Sequence, residues 1–197
     1  MTAMRVTRFD GVAITATGAH LPATVVETGA MGLAAPDDMI RLTGVVRRHV
    51  APPEQATSDL VTAACVEALG DFDRSSIDRL IVATVTPDHP SPATAPLVQH
   101  ALGLDQVPAM DLSAACAGFV YALDLAARAV LTGDRAVLVA AGECRVRTLE
   151  RASDGVRVLF GDGAAAAIIA PSATSPRRLE LVATVLGADG RGHADVR

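Results

Sequence analysis

Cys116 is the residue with the most chemistry to offer. It sits in DLSAACAGFVYALDLA, residues 111–126, where an apolar run that predicts a strand gives way to an Ala-rich run that predicts a helix. In the first turn of a helix the backbone N–H groups lack intrahelical acceptors and the positive end of the dipole is exposed, so both favour thiolate over thiol. A thiolate in that position is an activated nucleophile. Ala114, Ala115, Ala117 and Gly118 are all small, which lets an acyl chain or thioester arm come close while the backbone turns. The competing reading is a small core residue, because free cysteine is among the most often buried residue types.

The other reactive side chains add little beside it. Cys65 lies on the apolar face of a predicted helix and is expected in the core. Three cysteines, Cys65, Cys116 and Cys144, are an odd number without CxxC spacing, so neither a disulfide framework nor a zinc site is expected. No metal and no cofactor site is expected. A thiol hydrolase needs a base beside the thiolate, and redox chemistry needs a resolving thiol nearby; neither is offered by the spacing. Of His20, His49, His89, His100 and His193, only His89 is expected near the nucleophile turn, in a proline-rich loop.

The elements that must position Cys116 follow from pattern. Residues 11–21, 80–86, 109–112 and 136–141 read as strands, with the β-branched runs LIVATVT and AVLVAA typical of strands buried on both faces. Helices are predicted over 36–42, ending at Gly44, over 57–69 with N-cap chemistry from Thr57, Ser58 and Asp59, over about 95–102, and from the Cys116 turn to Leu131. Residues 45–53 and 145–157 read as polar connections, and 158–169 as an apolar run holding the turn Gly161-Asp162-Gly163. Residues 179–186 alternate as a last strand, and a Gly-rich polar tail follows. Strand and helix alternate, so the fold class is α/β, with a mixed, mostly parallel sheet of about five strands and helices packed on it.

Composition sets the outer limits. The chain has 197 residues, 50% hydrophobic and 20% charged, enough for one domain with a substantial core. Net charge is −5, and basic residues are scattered apart from Arg47–Arg48 and Arg177–Arg178, so no nucleic-acid partner is expected. No apolar run is long enough for a membrane span, and MTAMRVTRFDG lacks the apolar stretch of a signal peptide, so a cytoplasmic protein is expected.

Two segments in order, DLSAACAGFVYAL and VLFGDGAAAAII with AVLVAAGE between them, resemble the β-ketoacyl-acyl carrier protein synthase III family of thiolase-superfamily condensing enzymes. TGVVRRHVAP and IVATVTPDHPSP are similar as well. The resemblance implies that Cys116 accepts an acyl group from a thioester of CoA or of acyl carrier protein and passes it to the carbanion of a decarboxylated malonyl thioester. It implies an oxyanion role for the Cys116 N–H and substrate contacts for Phe160, Ser91 and Ala115. Ser91, where the family often has a large aromatic residue, leaves room for a longer or branched acyl group. Gly161, Asp162 and Gly163 are expected to shape a turn rather than do chemistry.

The family folds as two similar halves in an αβαβα sandwich and forms homodimers across the nucleophile half. Residues 1–197 resemble the thiolase-like first half and a little more, so the His and Asn of the second half are expected from elsewhere, through a paired chain or a longer one. Without them Cys116 is expected to be acylated but not to complete condensation. The alternative is a catalytically incomplete structural or specificity subunit that pairs with an active condensing enzyme. Counting from Gly44 and Gly161 puts Asp38 and Asp154 where acetyl-CoA users have a Trp and an Arg around the adenine. Stacking and cation–π contact would both be lost, which favours a carrier-bound or unusual acyl donor over acetyl-CoA.

Overall fold

The computed structural model describes residues 6–176 and 178–194; Arg177, of the pair noted above, and the last three residues of the tail lie outside them. In chain order the elements are β1 (Val6–Arg8), β2 (Val12–His20), β3 (Val25–Glu27), α1 (Pro36–Thr43), β4 (Arg47–His49), α2 (Thr57–Leu69) and β5 (Arg79–Ala83). There follow α3 (Thr94–Ala101), β6 (Ala109–Leu112), α4 (Gly118–Leu131), β7 (Val137–Glu143), α5 (Asp154–Arg157), β8 (Gly163–Pro171), β9 (Leu179–Glu180) and β10 (Ala183–Val185).

One six-stranded sheet, in the order β6-β5-β7-β8-β2-β9, forms the middle layer. Strand β5 is parallel to β6 and β7, whereas β8 runs antiparallel to β7 and β2, and β9 antiparallel to β2. Strands β6, β5, β7 and β2 therefore point the same way. The sheet is mixed and mostly parallel in direction, and its sixth strand is the two-residue β9 at one edge.

Side-chain alternation sorts the sheet into two cores, because successive residues of a strand face opposite sides. Leu80, Val82, Leu138, Ala140 and Ile168 pack with Leu60, Val61 and Cys65 of α2 and Val98 of α3. Ile81, Val137, Val139, Ala167 and Ile169 pack on the other side with Ala122, Ala126, Ala127 and Val130 of α4. Helix α2 comes extremely close to β2: a Cβ on Gly18 would lie 2.3 Å from Ala68 N and 2.4 Å from Ala64 O. Only a residue without a side chain allows that approach.

Local chemistry sets the helix ends. Gly44 closes α1 in a left-handed conformation (φ 74°), and its N–H bonds to Ile40 O. Asp59 caps α2 by accepting from Ala56 N–H at 2.8 Å, while Thr57 turns its hydroxyl away to Thr86 O at 2.6 Å. The cap is thus Asp59 reaching back to Ala56, not the Thr57 hydroxyl.

Two pairings depart from the linear reading. Residues 45–53, read as a connection, contain β4, which pairs antiparallel with β3. The predicted last strand divides: β9 joins the edge of β2, and β10 leaves the sheet to pair with β1. The split follows a bend in the partner, where Gly11 takes φ 73° between β1 and β2. The β1–β10 ribbon is anchored on α4, since Thr184 Oγ1 donates to buried Asp124 at 2.5 Å and Arg128 Nε to the same carboxylate at 2.6 Å.

Candidate active site

Strand direction decides where reactive groups gather. The carboxyl ends of β5, β6, β7 and β2 lie along one end of the sheet, the usual place for a ligand in such folds. Cys116 follows β6, Ser91 lies in the loop after β5, and Phe160 precedes β8, which starts opposite the end of β7. All of the substrate-binding and catalytic residues expected from the sequence are therefore at this end.

Around Cys116 the chain leaves β6 at Leu112 and enters a 3-10 turn, Ala115–Ala117, before α4 begins at Gly118. Ala117 N–H bonds to Ala114 O at 3.1 Å and Gly118 N–H to Ala115 O. Cys116 sits in the middle of this turn, just before the N-terminus of α4, where helix N–H groups lack intrahelical acceptors. Ala115 has φ 46°, a left-handed conformation that a residue with a Cβ adopts at a cost of about 1–2 kcal/mol. The side chain of Cys116 is exposed, unlike those of Cys65 and Cys144. A Cβ on Gly118 would lie 3.1 Å from Ala83 Cβ, so a glycine there seats the start of α4 on the end of β5.

Carboxylates hold the neighbouring loops. Asp111, at the end of β6, accepts from Thr94 N–H (2.8 Å) and Ala95 N–H (2.7 Å) and thereby fixes the start of α3. Asp88 accepts from Ser58 N–H (2.9 Å), and its own N–H bonds to Thr94 Oγ1 (3.1 Å), which pins loop 84–93 carrying exposed Ser91. Glu143, at the end of β7, accepts from Val85 N–H (2.9 Å) and Thr86 Oγ1 (2.5 Å). Sequence reasoning missed Asp111 and Glu143 as organisers; their signal was an acid closing each apolar run at its carboxyl end.

The turn at 161–163 is structural, as expected. Asp162 is buried, and its carboxylate accepts from Ala51 N–H (2.8 Å) and Val146 N–H (2.9 Å), joining the chain after β4 to the chain after β7. Phe160 beside it is half-buried, with the Arg145 guanidinium 5.8 Å from its ring centre.

The two aspartates singled out against nucleotide binding are both engaged. Asp38 pairs with Arg41 at 3.0 Å on the exposed side of α1. Asp154 accepts from Ala34 N–H at 2.9 Å and pairs with Arg157 at 3.2 Å, while Arg157 donates to Met31 O at 3.1 Å. Beneath this clasp buried Arg48 donates to Thr28 Oγ1 at 2.8 Å and Arg157 O at 3.3 Å and touches Met31 Sδ, leaving Nε unpartnered. Burial and then the nearby Arg157 charge lower the Arg48 pKa.

Among the described residues no histidine hydrogen-bonds to Cys116: His49 Nδ1 is 2.6 Å from Pro22 O, and His89 is exposed in the Ser91 loop. The His193 side chain lies outside the described set. No group of three or more His, Cys, Asp or Glu side chains converges as a metal site among the described residues, and none of their helices is long and apolar enough to cross a membrane.

Residues 110–190 match the family model described as 3-oxoacyl-[acyl-carrier-protein (ACP)] synthase III. The chain is 43% identical over 168 residues to the β-ketoacyl-[acyl-carrier-protein] synthase III of Rhodopirellula baltica, a match that covers 82% of this chain and 48% of that protein. It superposes on the crystal structure of 3-oxoacyl-[acyl-carrier-protein] synthase III from Aquifex aeolicus with TM-score 0.78 and 36% identity, covering 82% of this chain and 54% of that one. The priming β-ketosynthase from the R1128 polyketide biosynthetic pathway aligns with TM-score 0.78 and 32% identity, over 88% of this chain and 54% of that one. The chain spans about half the length of the relatives it matches.

Proposed function

Because this chain belongs to the 3-oxoacyl-[acyl-carrier-protein] synthase III family, and spans about half its relatives' length, we propose that it carries the acyl-accepting half of a condensing enzyme. Cys116 is the nucleophile. Its sulfur adds to the carbonyl carbon of an acyl thioester, the Cys116 N–H steadies the oxyanion, and the C–S bond to the donor breaks. The donor leaves as a thiol with the proton that Cys116 gave up, and the acyl group stays on Cys116. In the second step a malonyl thioester loses CO2, the resulting enolate attacks the acyl carbon, and the Cys116 thiolate is released and reprotonated. Ala115 borders the nucleophile, Phe160 lines the path of the acyl and pantetheine chain, and Ser91 leaves space for the acyl group.

One observation carries this reading: an exposed cysteine in a turn with left-handed Ala115, between a sheet strand and a 14-residue helix. The decarboxylation step needs groups from a second half, supplied by further polypeptide or by another chain. The donor is an acyl carrier protein or an unusual acyl thioester rather than acetyl-CoA: where the family resemblance implies an adenine-stacking Arg this chain has Asp154, whose carboxylate accepts from Ala34 N–H and Arg157. A homodimer forms along the open edge of β6, and the three free cysteines suit the cytoplasm.

Incubation with acyl thioesters followed by intact-mass measurement tests the proposal. Wild type gains one acyl group and Cys116→Ala gains none. An adduct that survives Cys116→Ala rejects the nucleophile. An inert wild type that binds a condensing enzyme stoichiometrically would instead identify a specificity subunit.

A further inference from the structure

We propose that Arg145 receives an anionic oxygen of the thioester that acylates Cys116, either a phosphate on its carrier arm or a carboxylate on its acyl chain. This rests on the reading of Cys116 as nucleophile. Arg145 follows β7 at the same end of the sheet as Cys116, and its Cζ lies 5.8 Å from the Phe160 ring centre. At that distance the ring face attracts the cation, and the planar guanidinium offers several N–H donors in a fixed fork. Among the described residues one of them is used, by Thr148 Oγ1 at 3.2 Å.

Seven other arginines have a carboxylate within 4.0 Å, and Arg145 is not among them within the described residues. Arg147, two residues on, spends an Nη on Pro52 O (3.0 Å) and Gln55 O (2.7 Å) and adds positive charge without a carboxylate. In a chain of net charge −5, a half-buried cation over a ring beside a candidate substrate path, without a counter-ion among the described residues, is suited to receive a planar or tetrahedral oxyanion.

The test compares acylation rates of wild type, Arg145→Gln and Arg145→Lys. One pair of donors is the same acyl group on pantetheine and on 4′-phosphopantetheine; the other is a plain and an ω-carboxylated acyl group on N-acetylcysteamine. In Arg145→Gln the charged-to-neutral rate ratio falls about tenfold for one pair, the order expected when a charge-assisted hydrogen bond is lost. Arg145→Lys falls less, because a point charge replaces the fork. A drop in the first pair assigns a phosphate, and a drop in the second a carboxylate. Ratios unchanged in both pairs, with only a lower unfolding midpoint, reduce Arg145 to a packing partner of Phe160 and overturn the proposal. If wild type accepts no donor, the Cys116 reading fails by itself. Arg145 is then decided by whether 4′-phosphopantetheine or a dicarboxylate protects it from phenylglyoxal: protection supports the proposal and full modification overturns it.

Discussion

Cys65 lies in the middle of α2, fully buried against Leu80 and Leu138 on one face of the sheet, whereas Cys116 lies exposed in the turn that leads into α4 on the other face. Both are thiols in Ala-rich apolar segments. Burial pushes the Cys65 thiol up to about 12, which keeps it neutral and inert at physiological pH. Cys116 instead meets solvent in the turn before α4. The contrast teaches that a shared composition gives a core residue when the helix continues through it, and an exposed one when a strand ends just before it.

If the α2 face is scaffold and the Cys116 turn is chemistry, substitutions should separate stability from thiol reactivity. The largest effect is expected from Gly18→Ala, whose Cβ would press into the backbone of α2 at Ala64 and Ala68. Chemical denaturation should show a loss of about 3 kcal/mol, while acyl transfer to Cys116 per folded molecule persists. An equal loss of labelling in the folded fraction would break the separation.

Asp111→Asn sits between the two regions. Only one oxygen remains for two backbone N–H donors, so about 2 kcal/mol of stability should be lost, with slower labelling of Cys116 because β6 and α3 loosen together.

A smaller, pH-dependent effect is expected at Asp124. Burial there disfavours the charged form, but hydrogen bonds from Arg128 and Thr184 and the Arg128 charge outweigh it and hold the carboxyl below its ordinary value. Its stabilisation is therefore complete above the ordinary carboxylate pKa and is lost as pH falls through the lowered one. Urea midpoints between pH 7 and pH 3 should fall more steeply for wild type than for Asp124→Asn at the acid end. The variant should be weaker by about 1 kcal/mol at neutral pH.

The smallest effect is expected at Ala115→Gly. Relief of the left-handed conformation should raise stability by up to about 1 kcal/mol while acylation slows, because the turn that presents the sulfur becomes looser. Stability and reactivity moving in opposite directions would sharpen the contrast with Gly18.

Local pattern made much of this legible. Helix α2 at Thr57–Leu69 and strand β6 at Ala109–Leu112 were predicted at their observed limits, α2 from the helical spacing of its apolar residues and β6 from its place between Pro108 and the small-residue turn at Cys116. The turn at Cys116 was visible because a strand and a helix signal meet there. Missed were β1 with β10 and β3 with β4, three-residue pairings too short to carry a period; β1 and β10 are also about 180 residues apart in the chain. The clasp of Asp154 on Ala34 was equally hidden, as it joins residues 120 apart through one side chain. The left-handed backbone of Ala115 has no signal in an alanine.

The central claim is that reactivity toward thioesters is concentrated at one of three thiols. Peptide mapping of protein exposed briefly to an acyl thioester at neutral pH tests it directly, by reading occupancy at Cys65, Cys116 and Cys144 in the same digest. The acyl group is expected on Cys116, with Cys65 and Cys144 unmodified. Acyl groups spread over all three cysteines, or found on Cys144 instead, would contradict it.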